Sequence, residues 1–209
     1  AGKGEYEGGQ DGSPVIIYQK AGELIEAGRV DQVTCLFVEE NKQNFQNLKS
    51  VLDKLPQNPS VTVVAPNAAE FERVVDQLFE QYPDKNIIPS FWLIDPFGFT
   101  GMGMETVKRV MSLPRSEVFI NLMIRDIGRF LSHPDLNDTF DRLFGTLEWR
   151  GILESNLTGE AKEAALRDLY SEQLISLGCY VTNFRVCMDD RRQTLYYMVH
   201  ATNNPLGRW

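Results

Sequence analysis

The sequence predicts an α/β fold: a mostly parallel sheet with helices on both faces, finished by an antiparallel C-terminal hairpin. Three observations carry that expectation. Short apolar runs alternate with helix-spaced segments along the 209 residues, the rhythm of strand–helix–strand units. The runs are too uniformly apolar for strands wetted on one face. Two longer runs rich in β-branched and aromatic residues end the chain, and the polar turn DDRR (189–192) between them signals a hairpin.

The elements follow in order. AGKGEYEGGQDG (1–12) is a glycine-punctuated loop of the kind that normally follows a strand. A strand ahead of Ala1 is therefore expected, and it would make seven. SPVIIYQKAGELIEAG (13–28) reads as a helix, with proline just inside its start and glycine after its end. QVTCLFVEE (32–40) is a strand, and NKQNFQNLKSVLDKL (41–55) a helix with Phe45, Leu48, Val51, Leu52 and Leu55 at helical spacing. SVTVVAPN (60–67) and AAEFERVVDQLFEQY (68–82) repeat the pair. PSFWLIDPFG (89–98) is a buried strand that ends abruptly, GMETVKRVMSL (103–113) a helix and SEVFINLMI (116–124) a strand. Residues 125–177 are mostly helical, with breaks near Pro134, Gly145, Gly151 and Gly159, before CYVTNFRVCMD (179–189) and QTLYYMVHATN (193–203) form the hairpin. No repeat or low-complexity linker interrupts the pattern. The expectation is one domain over 1–209, with 145–175 a helical insertion on one rim.

With 43% hydrophobic and 24% charged residues, the chain can bury a sizeable core. Its net charge of −8 argues against non-specific coating of nucleic acid, which needs a dense cationic face. A local groove could still draw on Lys108, Arg109 and Arg115, on Arg125 and Arg129, or on Arg191 and Arg192; scattered solvated charges are the simpler reading of each group. Cys35, Cys179 and Cys187 are odd in number, sit in apolar runs and lack zinc-ligand spacing, so they read as reduced core thiols of a cytoplasmic protein. No apolar run approaches a membrane span, and no signal peptide is visible.

In open α/β sheets ligands collect at the carboxyl ends of strands, so those positions are the candidates. In the loop at 1–4, Ala1, Gly2 and Gly4 allow backbone to approach a ligand closely. Glu39, with Glu40, ends a strand, where a carboxylate can accept both hydroxyls of a ribose or serve the start of the next helix. Asn67 and Ala68 end another; Asn67 can cap a helix or border an adenine edge. Asp95-Pro96-Phe97-Gly98 is the most specific station. The Asp95 carboxylate and the Pro96 carbonyl give two preorganised acceptors for an amino group, and Phe97 offers a flat face for a ring. The functional expectation is that Gly2, Glu39, Asn67 and Asp95 gather around one crevice.

Glycine loop, acidic strand end, Asn strand end and DPFG, in that order, resemble the Rossmann-like S-adenosylmethionine-dependent methyltransferases. More narrowly, AGKGEYEGGQDGSP, FVEENKQNFQNL, IDPFG and ATNN resemble the three-Cys-motif partner (TcmP) family. The resemblance implies a seven-stranded Rossmann-like sheet whose first strand precedes Ala1. It also implies S-adenosyl-L-methionine as cofactor, with Ala1, Gly2 and Gly4 near its methionine part, Glu39 on the ribose, and Asn67 with Ala68 at the adenine. Asp95, Pro96 and Phe97 would present the amine to be methylated, and Asp95 would also border the cofactor. The implied activity is N-methylation of an amino group on a nucleobase of RNA or DNA. The alternative is a non-catalytic methyltransferase-like module acting with a genomic partner protein. A nicotinamide oxidoreductase is disfavoured because Glu7 stands where GxGxxG needs its third glycine, and a nuclease because Glu39, Glu40 and Asp95 form no compact acidic motif. His133 and His200 lack an evident nucleophile partner.

Overall fold

A computed structural model of the chain describes residues 2–5, 8–65, 67–83, 89–96, 98–188 and 193–207. They form two compact units, 1–74 and 75–209, and the division falls within a helix.

The first unit is built on a two-stranded parallel sheet. Helix α1 (Ser13–Glu26) precedes strand β1 (Val33–Leu36), helix α2 (Lys42–Leu52) crosses over, and strand β2 (Val61–Val64) returns beside β1. The register sets Val33 against Val61 and Leu36 against Val64, and Phe37 N–H continues the ladder to the Val64 carbonyl at 2.9 Å. Helix α1 packs on both strands and on α2. Ala21, Cys35, Phe37, Leu48, Leu52 and Val61 make the core. Pro14 suits the first turn of α1, where its missing N–H would have had no helical partner. Asn41 caps α2, its side chain accepting from Asn44 N–H at 3.0 Å. Strand β1 buries Cys35 but exposes Thr34, so it is not covered on both faces as its apolar run suggested.

Helix α3 (Phe71–Gln81) contains the division. The second unit holds a four-stranded mixed sheet in the order β3 (Ser90–Ile94), β4 (Ser116–Leu122), β6 (Thr194–Thr202), β5 (Tyr180–Cys187). Strands β3 and β4 are parallel, joined through helix α4 (Met104–Met111); β4 with β6 and β6 with β5 are antiparallel. Helices α5 (Ile124–Phe130), α6 (Asn137–Phe144), α7 (Trp149–Glu154) and α8 (Gly159–Ile175) fill the segment before the hairpin. The DDRR turn lies outside the described residues; Met188 N–H bonds the Gln193 carbonyl at its base, at 3.0 Å.

Burial in β4 alternates strictly: Ser116, Val118, Ile120 and Leu122 face the core. Helix α4 packs on β4, and Val107 and Val110 of α4, Ile127 of α5, Phe140 and Phe144 of α6, and Leu166 and Tyr170 of α8 are likewise buried. Trp149 lies edge-tilted on Phe140 at 5.4 Å, and Tyr170 meets Phe144 at 6.5 Å. Each such fully buried Phe contributes about 1.5–3 kcal/mol.

The opposite sheet face is aromatic: Phe91 stands 5.5 Å from Phe119, which lies 6.4 Å from Phe184 and stacks on His200 at 4.5 Å. Phe91 is 60% exposed.

Two expectations are overturned here. The seven-stranded, mostly parallel Rossmann-like sheet is not what forms: the described strands divide into a two-stranded parallel sheet and a four-stranded mixed sheet. All six apolar runs within the chain are strands, but run composition marks a strand without naming its neighbour, which backbone hydrogen bonding chooses at long range. Nor are all cysteines core thiols. Cys35 and Cys179 are buried, whereas Cys187 is exposed at the β5 end where the β5–β6 register slips.

Candidate functional site

The opening loop is closed on itself. Gly4 is buried with φ of +84°, and its carbonyl accepts Gly12 N–H at 2.8 Å. A Cβ on Gly12 would stand 2.6 Å from that carbonyl oxygen, so the close approach requires glycine there. Glu5 and Asp11 bridge beside it. The glycines that suggested a ligand loop therefore have a structural task as well. Gly2 is exposed, and Ala1 lies outside the described residues.

Glu39 links three of the predicted stations in the first unit. Its Oε2 accepts Gly2 N–H at 2.7 Å and its Oε1 accepts Asn41 N–H at 3.0 Å. Its backbone carbonyl accepts Ala69 N–H at 3.0 Å. The glycine loop, the end of β1 and the segment after β2 are thus tied to one residue at the carboxyl rim of a parallel pair, where parallel sheets bind ligands. Burial by itself would raise the Glu39 carboxyl; the N–H groups of Asn41 and Gly2 oppose it, and the balance holds the group below the ordinary glutamate value of 4.5. Asn67 does not cap α3, which starts four residues later at Phe71; it is exposed, and Ala68 beside it is half-buried.

Asp95 belongs to the second unit. It directly follows β3, and its exposed carboxylate accepts the Asn121 side-chain amide at 2.7 Å (Nδ2 to Oδ1). The pairing is set by register: Ile94 is partnered with Ile120, so the next residues on the two parallel strands stand side by side. The Asn121 Oδ1 is buried and has no hydrogen-bond partner among the described residues. Asn121 was not singled out from the sequence, although SEVFINLMI places it one residue before the β4 end; a lone Asn in an apolar run was the available signal. Pro96 is half-buried, and Phe97 lies outside the described residues.

The basic residues divide. Arg109 pairs with Asp76 and covers the Phe79 ring at 4.7 Å, and Arg129 covers Phe130 at 4.8 Å. Arg125 donates to the Met188 sulfur at 3.3 Å. Arg115 is exposed in a turn with φ of +60°, Lys108 is half-buried, and Arg191 and Arg192 lie outside the described residues. Among the described residues no group of three His, Cys, Asp or Glu side chains could hold a metal ion. His200 is buried with Nε2 3.5 Å from Glu117. A groove of about 480 Å³ runs along α7 and α8, lined by Glu148, Ile152, Leu157, Asp168, Leu169 and Glu172 among others; none of the predicted site residues lines it. No helix among the described residues is long and apolar enough to cross a membrane.

No family model, no curated protein and no solved structure matches the chain at a significant level.

Proposed function

We propose that this chain is an S-adenosyl-L-methionine-dependent methyltransferase of the three-Cys-motif partner kind, acting in the cytoplasm on an amino nitrogen of a nucleobase in RNA or DNA. The observation that carries the reading is Glu39, at a parallel strand end: its carboxylate accepts from the glycine loop and its backbone carbonyl from the post-β2 segment.

The residues present fit the cofactor. Glu39 would hold the ribose diol through its carboxylate, which stands at the strand end beside the glycine loop. The exposed Asn67 and the half-buried Ala68 would border the adenine, and Gly2 and Gly4 the methionine portion. The chemistry supplied by the cofactor when bound is an electrophilic methyl carbon on a sulfonium, which a nitrogen lone pair displaces. The protein's share is alignment. Asp95 and the Pro96 carbonyl accept the amine hydrogens and turn the lone pair outward, and an Asp95 oxygen or water takes the proton the nitrogen sheds.

Calorimetric titration with S-adenosylhomocysteine tests the cofactor site. Saturable heat that Glu39→Ala removes supports it. A second reading, a non-catalytic module acting with a partner protein, is favoured by one fact: both Glu39 oxygens already hold the backbone. Absence of heat in the wild-type chain would select that reading. Incubation with labelled cofactor and pooled cellular RNA, DNA and protein then identifies the acceptor.

A further inference from the structure

The groove of about 480 Å³ between α7 and α8 has no task in the reading above. Helix α8 lines it with Ala165, Leu169 and Glu172, at i, i+4 and i+7, which is one stripe of the helix. The next position on that stripe is Ile175, an isoleucine left 54% exposed. Helix α7 supplies the facing wall through Gly151 and Ile152, with Glu148 at its N-cap. Leu169 is buried and Ile152 half-buried, so the lining is apolar between two acidic positions, one on each helix.

Two of these residues have no evident reason in the fold. Gly151 stands inside α7, where every residue but proline would favour the helix more. Its φ is not positive, and an added Cβ would meet nothing within 4 Å, so neither backbone nor packing asks for glycine. What the missing side chain leaves is room for something to come close to the α7 backbone. Glu172 lies in the last turn of α8, where a negative charge opposes the helix dipole, and no basic residue shares that turn. The carboxylates of Glu148 and Glu172 have no partner among the described residues. Asp168 on the same rim does, pairing with Arg167 at 2.6 Å. No Lys or Arg stands among the described lining residues.

We propose that this groove docks a basic amphipathic helix of a partner protein, with its apolar side chains on Ile152 and Leu169 and its Lys or Arg heads at Glu148 and Glu172. A helix laid in a groove presents anchors at the same i, i+4, i+7 spacing that α8 offers it. The free carboxylate on each wall selects a cationic helix over an acidic or uncharged one. Lys and Arg suit both parts of the lining, because their stems cover apolar surface while their heads reach the rim. The bare Gly151 backbone lets that helix seat closely. Docking here is independent of methyl transfer.

Fluorescence anisotropy of the full chain with labelled model peptides tests the proposal. The probe is a Leu/Lys peptide patterned as an amphipathic helix; the controls are the same residues scrambled around the helix and the same pattern with Glu for Lys. The patterned basic peptide should bind saturably and at least about tenfold tighter than either control. Glu148→Gln with Glu172→Gln should weaken it about fivefold. Glu26→Gln with Asp31→Asn removes the same charge from exposed positions elsewhere and should leave it within about twofold. Gly151→Leu should keep or raise Tm, since leucine favours the helix, and should abolish saturable binding by filling the groove. Binding as tight to either control, equal loss in the two charge variants, or full binding by a folded Gly151→Leu overturns the proposal. So does a dimer of the unliganded chain that Gly151→Leu disperses, which would assign the groove to a second copy. If Gly151→Leu does not fold, the comparison of the two charge variants decides.

Discussion

Asn121 and Asp95 are joined by a 2.7 Å hydrogen bond between neighbouring parallel strands, with the carboxylate exposed and the amide oxygen buried behind it. An aspartate at a strand mouth that is held by a neutral amide, with no salt bridge to it among the described residues, stands exposed to a ligand. Replacing Asp95 with Ala should abolish methyl transfer while leaving S-adenosylhomocysteine affinity within about tenfold, or ~1.4 kcal/mol. Filter-bound radiolabel and calorimetry on the same preparation check both halves; a mutant as active as the wild type excludes Asp95 from the reaction.

The Glu39 carboxyl gives a pH signature. Its folded value lies below 4.5, so the ionised form is favoured by folding. The stabilisation is present above the unfolded value and is lost as pH falls through the folded one. Glu39→Gln cannot titrate. The difference in urea midpoint between wild type and Glu39→Gln should therefore shrink as pH is lowered from about 5 to about 3. A constant difference across that window would show that the charge on Glu39 does not stabilise the loop.

Tyr170 is fully buried on α8 and its hydroxyl has no partner among the described residues. Burial drives its pKa up, so the group stays neutral and contributes only an unsatisfied polar atom. Tyr170→Phe keeps the ring against Phe144 and should raise stability by about 1 kcal/mol in urea unfolding. A loss of that size would reveal a role for the hydroxyl.

Thiol reactivity should divide one to two. Burial raises the pKa of Cys35 and Cys179, depleting the thiolate and blocking access, whereas Cys187 is exposed. Titration of the folded chain with an aromatic disulfide should show one fast equivalent, abolished by Cys187→Ser, and two more only in denaturant.

Much of this was legible from the residues alone. Every apolar run from QVTCLFVEE to QTLYYMVHATN contains a strand, and the 3.6-residue stripes contain helices, because period and β-branching act within a few residues. Glu39 and Asp95 were placed just past strand ends by the same local signal. Partnership was not legible. Nothing in SEVFINLMI announces that Asn121 will meet Asp95, since that meeting depends on the register Ile94 takes against Ile120. Nothing in FRVCMD says that Cys187 will be exposed.

What the sequence determined by itself was which segments are strands, which are helices, and which polar residues stand at their ends. What only tertiary structure decided was how the strands divide into two sheets and which polar atoms are satisfied. Secondary structure answers to neighbours along the chain; pairing and burial answer to residues tens of positions away, whose hydrogen bonds are settled when the chain closes.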